Sequence, residues 1–190
     1  MNRRVRHWTI RLVVAAAVLV PGRASGQGTS ATPPAVSAAD PRDVASPDAL
    51  IAAVYDVISG PAGKVRNWNR WLSLFTAGAR LVPATTGADK KPHIRLMTPE
   101  DYVQTVGPRL EQNGFFEREI GRTSESFGNI THVFSTYESK RTMADEKPFA
   151  RGINSIQMFN DGSRWWLVTI FWDSERDDNR ISAAYLRPAK

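Results

Sequence analysis

The sequence predicts an α+β domain in which helices come first and an antiparallel sheet follows. Three observations carry that expectation. Apolar residues recur at helical spacing between Leu50 and Leu110, and from Phe115 to Ser174 they alternate at period two. The change of period falls at Gly114, a helix-stopping residue. The strand-like runs are separated by Gly128-Asn129 and Asn160-Asp161-Gly162, which are hairpin-turn combinations. A chain of 190 residues has room for one such domain.

The first helix opens at Ser46-Pro47-Asp48: a serine able to cap, a proline suited to the first turn, and an acid at the positive end of the helix dipole. Leu50, Ile51, Val54, Tyr55 and Ile58 share one face, and Gly60-Pro61 ends the helix. A second helix is expected over 64–76, with Val65, Trp68, Leu72 and Phe75 as its inner stripe, Trp71 beside them, and Gly78 as its stop. Residues 80–83 and 94–97 read as short extended pieces around the polar loop TTGADKKP. Thr98-Pro99-Glu100-Asp101 starts a third helix carrying Tyr102, Val103, Val106 and Leu110, which Pro108 should kink or divide. Four strands are then expected at 115–126, 129–141, 149–159 and 164–174. The last, RWWLVTIFWDSE, is apolar on both faces: Trp165, Leu167, Thr169 and Phe171 on one, Trp166, Val168, Ile170 and Trp172 on the other.

The N-terminus has the layout of a secretory signal. Arg3, Arg4, Arg6 and Arg11 precede an apolar core, Leu12–Val20, whose nine residues are fewer than the ~20 of a membrane span. Small residues follow at Ala24-Ser25-Gly26, so cleavage is expected after Gly26, giving an exported chain, periplasmic or secreted, with no stable membrane insertion after cleavage. Residues 27–45, rich in Ala, Ser, Pro and Thr, read as a disordered linker, and 46–186 as the folded domain.

The signal also accounts for the basic charge. The formal charge is +6, but five of the 25 basic residues fall in 1–26, which holds no acid; the remainder carries 20 basic and 19 acidic residues, a net of +1. A nearly neutral mature domain has no global field to attract nucleic acid. With no cysteine, stability rests on the core, and thiolate metal sites are excluded. Only His93 and His132 follow residue 26, too few for a multi-histidine metal site. There is no P-loop, no GxSxG and no dinucleotide fingerprint in its proper context, so no cofactor is expected.

The stretches RNWNRWLSLFTAGARLVP (66–83), MTPEDYVQTV (97–106), HVFSTYESK, ARGINSIQMF and DGSRWWLVTIFWDSE resemble the nuclear transport factor 2-like superfamily, nearest its SnoaL-like bacterial branch with exported members. The likeness runs over 46–186. It implies a cone: a strongly curved antiparallel sheet wrapped around three N-terminal helices, with a pocket at the open end. It also implies a homodimer, since many such proteins pair through the outer sheet face. The doubly apolar last strand points the same way, and Trp166, Val168, Ile170 and Trp172 are the expected interface.

The same resemblance admits cofactor-free isomerases, lyases and hydrolases, and equally modules that only bind. Asn67 and Asn69 stand where many relatives carry an aspartate, which weakens carboxylate chemistry on the second helix. The expected pocket takes Tyr55, Trp68, Trp71 and Asn154. For catalysis the candidate pair is His132 with Glu117 or Glu119, because histidine titrates near neutral pH and a carboxylate can orient its ring. The alternative for these groups is a solvated or salt-bridged sheet face. The favoured reading is a module holding a small apolar molecule in the cone; the alternative is an acid–base enzyme of the ketosteroid isomerase or SnoaL type.

Overall fold

A computed structural model describes residues 38–187. The signal segment 1–26 and most of the expected linker lie outside the described residues.

The start of the domain lies earlier than the 46 boundary. Asp40 caps a 3₁₀ turn, Pro41–Asp43, by accepting from the Arg42 amide at 2.9 Å. Val44 is buried, its carbonyl accepts from the Trp165 amide at 2.9 Å, and Asp43 pairs with Arg70 at 2.7 Å. One apolar side chain and one ion pair are enough to draw residues 40–45 out of the linker and onto the core.

Helix α1, Pro47–Ile58, forms as its caps dictate: the Ser46 hydroxyl accepts from the Ala49 amide at 3.1 Å. It buries Leu50, Ile51, Ala53, Val54, Tyr55, Val57 and Ile58. Helix α2 is shorter than the expected 64–76, covering only Trp68–Ser73. On its N-terminal side Arg66 is buried and donates to the carbonyls of Ile58, Gly60, Lys64 and Leu110 at 3.0, 2.6, 2.5 and 3.3 Å. That wraps residues 60–66 around one guanidinium and leaves Val65 exposed. On its C-terminal side residues from Phe75 onward join the sheet as β1, Phe75–Thr86. Gly78, at φ 80°, sits within an irregular stretch of β1 rather than at a helix end.

Strand β2, Pro92–Ile94, pairs back on β1. A capping box between Thr98 and Asp101 starts α3, Pro99–Thr105, and Pro108 divides it from α4, Gly107–Asn113. Four strands follow: β3 Phe116–Phe127, β4 Ile130–Lys140, β5 Ala150–Asn160 and β6 Trp165–Ser174. With β1 and β2 they form one curved, unclosed six-stranded sheet in the order β2-β1-β6-β5-β4-β3. The sheet is not wholly antiparallel. β6 returns beside β1 and runs parallel to it, because the whole β3–β5 meander intervenes between them.

The two-faced apolar character of β6 has a local cause. Met158 pairs with Leu167 and Gln157 with Thr169, so β6 carries one extra residue, Val168. Beyond that bulge the alternation inverts. Leu167 and Ile170 both point into the core, with Trp165 and Trp172 packed against it, while Val168 and Phe171 are exposed. Trp166, Val168, Ile170 and Trp172 therefore do not make one face, and the interface expected from strict alternation is corrected: its outward members are Trp166 and Val168. Trp166 is already occupied, donating to Asp161 at 2.7 Å with the Arg164 guanidinium 3.6 Å from its ring centroid.

The helices fill the concave side. On the opposite face the C-terminal segment crosses β4: the Thr136 hydroxyl donates to the Tyr185 carbonyl at 2.7 Å, and Phe134 stacks on Tyr185 at 5.7 Å. Gly121 is required beneath it, since a Cβ there would lie 2.3 Å from the Tyr185 carbonyl oxygen.

Candidate functional site

Odd-numbered residues of β4, from Val133 to Ser139, face the helices, and the even-numbered ones face outward. Glu117 on β3 stands opposite Ser139, and Asn154 on β5 stands opposite Ser135. Curvature brings these groups together beneath α1 and α3. Glu117, Ser139 and Asn154 border a cavity of about 230 Å³ between the helices and the sheet. Its walls are mostly apolar and aromatic: Trp71, Tyr102, Phe115, Tyr137, Phe149 and Trp172, with Ile58, Leu81 and Ile170. Trp71 stacks on Tyr102 at 5.0 Å, so one face of the aromatic wall is fixed by its neighbour. Gly152 permits the close fit of Tyr137, because a Cβ there would lie 2.4 Å from the Tyr137 hydroxyl.

Glu117 is the single acid lining this cavity. Its Oε2 accepts from the Ser139 hydroxyl at 2.7 Å. Burial pushes its pKa up to about 7, and hydrogen bonds from Ser139 and Asn154 offset only part of that rise. Burial likewise raises Tyr102, and raises Tyr137 to about 12, so both phenols stay protonated at neutral pH.

Glu119, two residues on, has a different role. Arg122 grips it through two nitrogens, Nε to Oε1 at 2.9 Å and Nη2 to Oε2 at 2.6 Å, and Arg122 also reaches Asp48. Glu119 Oε1 accepts from the Ser135 hydroxyl at 2.5 Å. That sets the direction of a buried chain. A carboxylate paired with arginine only accepts, so Ser135 gives it its proton and accepts from Tyr55 at 2.6 Å. The Tyr55 oxygen then accepts from Asn154 Nδ2 at 3.1 Å. The Tyr55 proton points at Ser135 and is not offered to a ligand.

Of the residues expected at the pocket, Trp71 and Asn154 line the cavity. Tyr55 and Trp68 do not. Tyr55 borders instead a groove of about 640 Å³ between α1 and β3, which also touches Glu117 and Glu119. Trp68 packs over Gly107 and donates to Glu111 Oε1 at 2.8 Å, tying α2 to α4. The catalytic pairing of His132 with Glu117 or Glu119 is also corrected. His132 lies on the outward face, bonded to the Ser155 hydroxyl at 2.9 Å and edge-on to Phe134. It is seven positions along β4 from the partner of Glu117, about 23 Å at ~3.3 Å per residue. Reasoning from sequence missed Ser139, Tyr102 and Tyr137 as the companions of Glu117. The signal for the two on β4 was the shared parity of Ser135, Tyr137 and Ser139. Among the described residues no cluster of three or more His, Asp or Glu side chains is placed to hold a metal ion.

No protein-family model matches the chain. No curated protein matches its sequence. Solved structures do match its fold. A Nostoc punctiforme protein of unknown function with a cystatin-like fold superimposes with a TM-score of 0.50 at 11% identity, covering 67% of this chain and 87% of that one. A nuclear transport factor 2-like protein of unknown function from Silicibacter pomeroyi gives 0.49 at 11%, covering 69% and 94%. A candidate ketosteroid isomerase from Parabacteroides distasonis gives 0.45 at 11%, covering 69% and 89%. At such identities the likeness is one of fold.

Proposed function

We propose that this chain, whose fold matches a cystatin-like one, is an exported binding module of the nuclear transport factor 2-like kind whose cone holds a small, mainly apolar molecule anchored at Glu117. One observation carries the reading: a cavity walled by aromatic and aliphatic side chains with a single carboxyl on its lining. Apolar walls supply most of the affinity, and one polar group in such a wall fixes orientation. At about 230 Å³ the cavity suits a compact ligand or one end of a longer one. The native ligand is sought by native mass spectrometry of protein purified from its own host. A co-purifying small molecule is expected, and it should be lost on Ala150→Phe, which fills the cavity. If no such mass is found, and no compound from a fragment set perturbs the fluorescence of cavity tryptophans Trp71 and Trp172, the reading is wrong.

A second reading has its own observation in favour. A carboxyl with a pKa of about 7, in a wall shared with two protonated tyrosines, could move a proton while a phenol stabilises an oxyanion. That is the chemistry of a cofactor-free isomerase or lyase. It requires turnover that rises through pH 7 and vanishes in Glu117→Gln.

Export rests on the Arg-rich and apolar N-terminal layout, and N-terminal sequencing of the mature protein tests it; a start at Met1 overturns it. Homodimer formation, in this proposal, uses the outward residues Val168, Phe171 and Phe159, which are exposed apolar side chains of adjacent strands.

A further inference from the structure

The charge balance of the cavity narrows its ligand. Glu117 is lined up with neutral partners only: Ser139 and Asn154 are its hydrogen-bond donors. Among the described residues no lysine, arginine or histidine lines the cavity. The charged groups on the elements packed around Glu117 lie in the α1–β3 groove and are turned to one another: Arg122 to Glu119 and Asp48, Arg118 to Glu138, and Asp56 to Arg70. Lys140 borders the same groove, outside the cavity. Tyr55, Tyr102 and Tyr137 are the titratable groups facing Glu117 from α1, α3 and β4, and all three are neutral phenols. Glu117 borders the α1–β3 groove as well, but within the cavity it is the one carboxyl and, among the described residues, no cation lines the space with it.

The walls are suited to supplying the rest of a cation's environment. Trp71, Tyr102, Phe115, Tyr137, Phe149 and Trp172 all border the space. Aromatic faces carry negative charge density and attract an organic cation that has shed its water. The Phe149 ring already accepts one cation in this way, with the Arg141 guanidinium 4.1 Å from its centroid.

We propose that the cavity selects an organic cation, an amine or quaternary ammonium with a small apolar body, with Glu117 as its counter-ion and the aromatic rings as its walls. The proposal rests on the binding reading above and names its ligand class. A neutral ligand of the same shape would leave the ionised carboxylate desolvated and unpaired, whereas a cation relieves that cost. Binding a cation also favours the ionised form of Glu117, so near pH 7 it should expel about half a proton.

The test compares two probes of one shape: choline, and 3,3-dimethylbutan-1-ol, in which carbon replaces the charged nitrogen. Both are titrated into the full protein at pH 8.5 and 5.5, followed by calorimetry and tryptophan fluorescence. At pH 8.5 choline should bind about tenfold or more tightly than the alcohol. At pH 5.5, with Glu117 protonated, that preference should collapse. In Glu117→Gln the preference should be absent at both pH values. Calorimetry at pH 7 in buffers of different ionisation enthalpy should report proton release with choline and none with the alcohol. If the alcohol binds as well as choline at pH 8.5, the cation proposal is overturned and the binding module stands. If neither probe binds the folded protein at either pH, the cation proposal falls. The binding reading itself is judged separately by the co-purified ligand.

Discussion

Glu117→Gln should make this protein more stable at alkaline pH, although it removes a group from the candidate site. The folded-state pKa of Glu117 is about 7 against an ordinary value of 4.5. Below 4.5 the carboxyl is protonated in both the folded and unfolded chain, and its titration contributes nothing. Between 4.5 and 7 the folded state holds the proton and the unfolded state releases it, so stability falls as pH rises. Above 7 the full penalty is present. At about 1.4 kcal/mol per pH unit, that interval amounts to roughly 3 kcal/mol. Glutamine carries no such charge, keeps nearly the same shape, and can still accept from Ser139. Its cost is the changed hydrogen bonding around Asn154, about 1 kcal/mol and independent of pH. The variant should therefore be about 2 kcal/mol more stable than the parent at pH 8.5 and about 1 kcal/mol less stable at pH 4.5. Urea unfolding at the two pH values, with equal m-values required, measures both. Two variants whose stability difference is the same at pH 4.5 and 8.5 would refute the reasoning, since Glu117 could not then be titrating with a raised pKa.

Three other outcomes are expected. Arg66→Met should cost about 3 kcal/mol in urea unfolding, because it removes a buried charged donor from the carbonyls ending α1 and α4; Arg66→Lys should recover little, lacking the planar fork, and a loss under 0.5 kcal/mol would sink the idea. His132→Ala should leave ligand binding unchanged and cost about 1 kcal/mol for its bond to Ser155; a tenfold loss of affinity would return His132 to the site. Phe171→Glu should shift the sedimentation of a dimeric parent toward monomer, by at least about tenfold in the dimer dissociation constant, since it puts a charge into an apolar contact; a parent that is monomeric at micromolar concentration contradicts the proposed interface.

What could be read from the sequence divides along the range of the forces involved. Local chemistry was legible: the Ser46 cap, the Thr98–Asp101 box and the Pro108 division each stand where the residues indicate. The strand order and turns of the meander followed from period and turn residues. Tertiary pairing was not legible. Residues 75–78 have helical spacing, yet pairing of Phe75 with Leu167 on β6 takes the chain into the sheet. The bulge at Val168 was hidden for another reason. Every residue from Trp165 to Trp172 is apolar or threonine, so the side-chain pattern is the same with or without an inversion.

The same ambiguity governed the candidate site. One face of β4 carries Val133, Ser135, Tyr137 and Ser139, and the other carries His132, Phe134, Thr136 and Glu138. Each face mixes apolar and polar groups, so alternation alone could not say which enclosed the pocket. It did say that His132 and Ser139, an odd number of positions apart, lie on opposite faces. Once Glu117 is paired with Ser139, that parity removes His132 from the cavity whatever the curvature of the sheet. The conflict that marks the site is therefore not a pair of catalytic-looking residues but one misplaced residue type: a carboxyl in a wall otherwise built as core. Sequence-to-structure consistency breaks mainly where function requires it, and here the break has a measurable cost, the stability that Glu117→Gln should restore above pH 7.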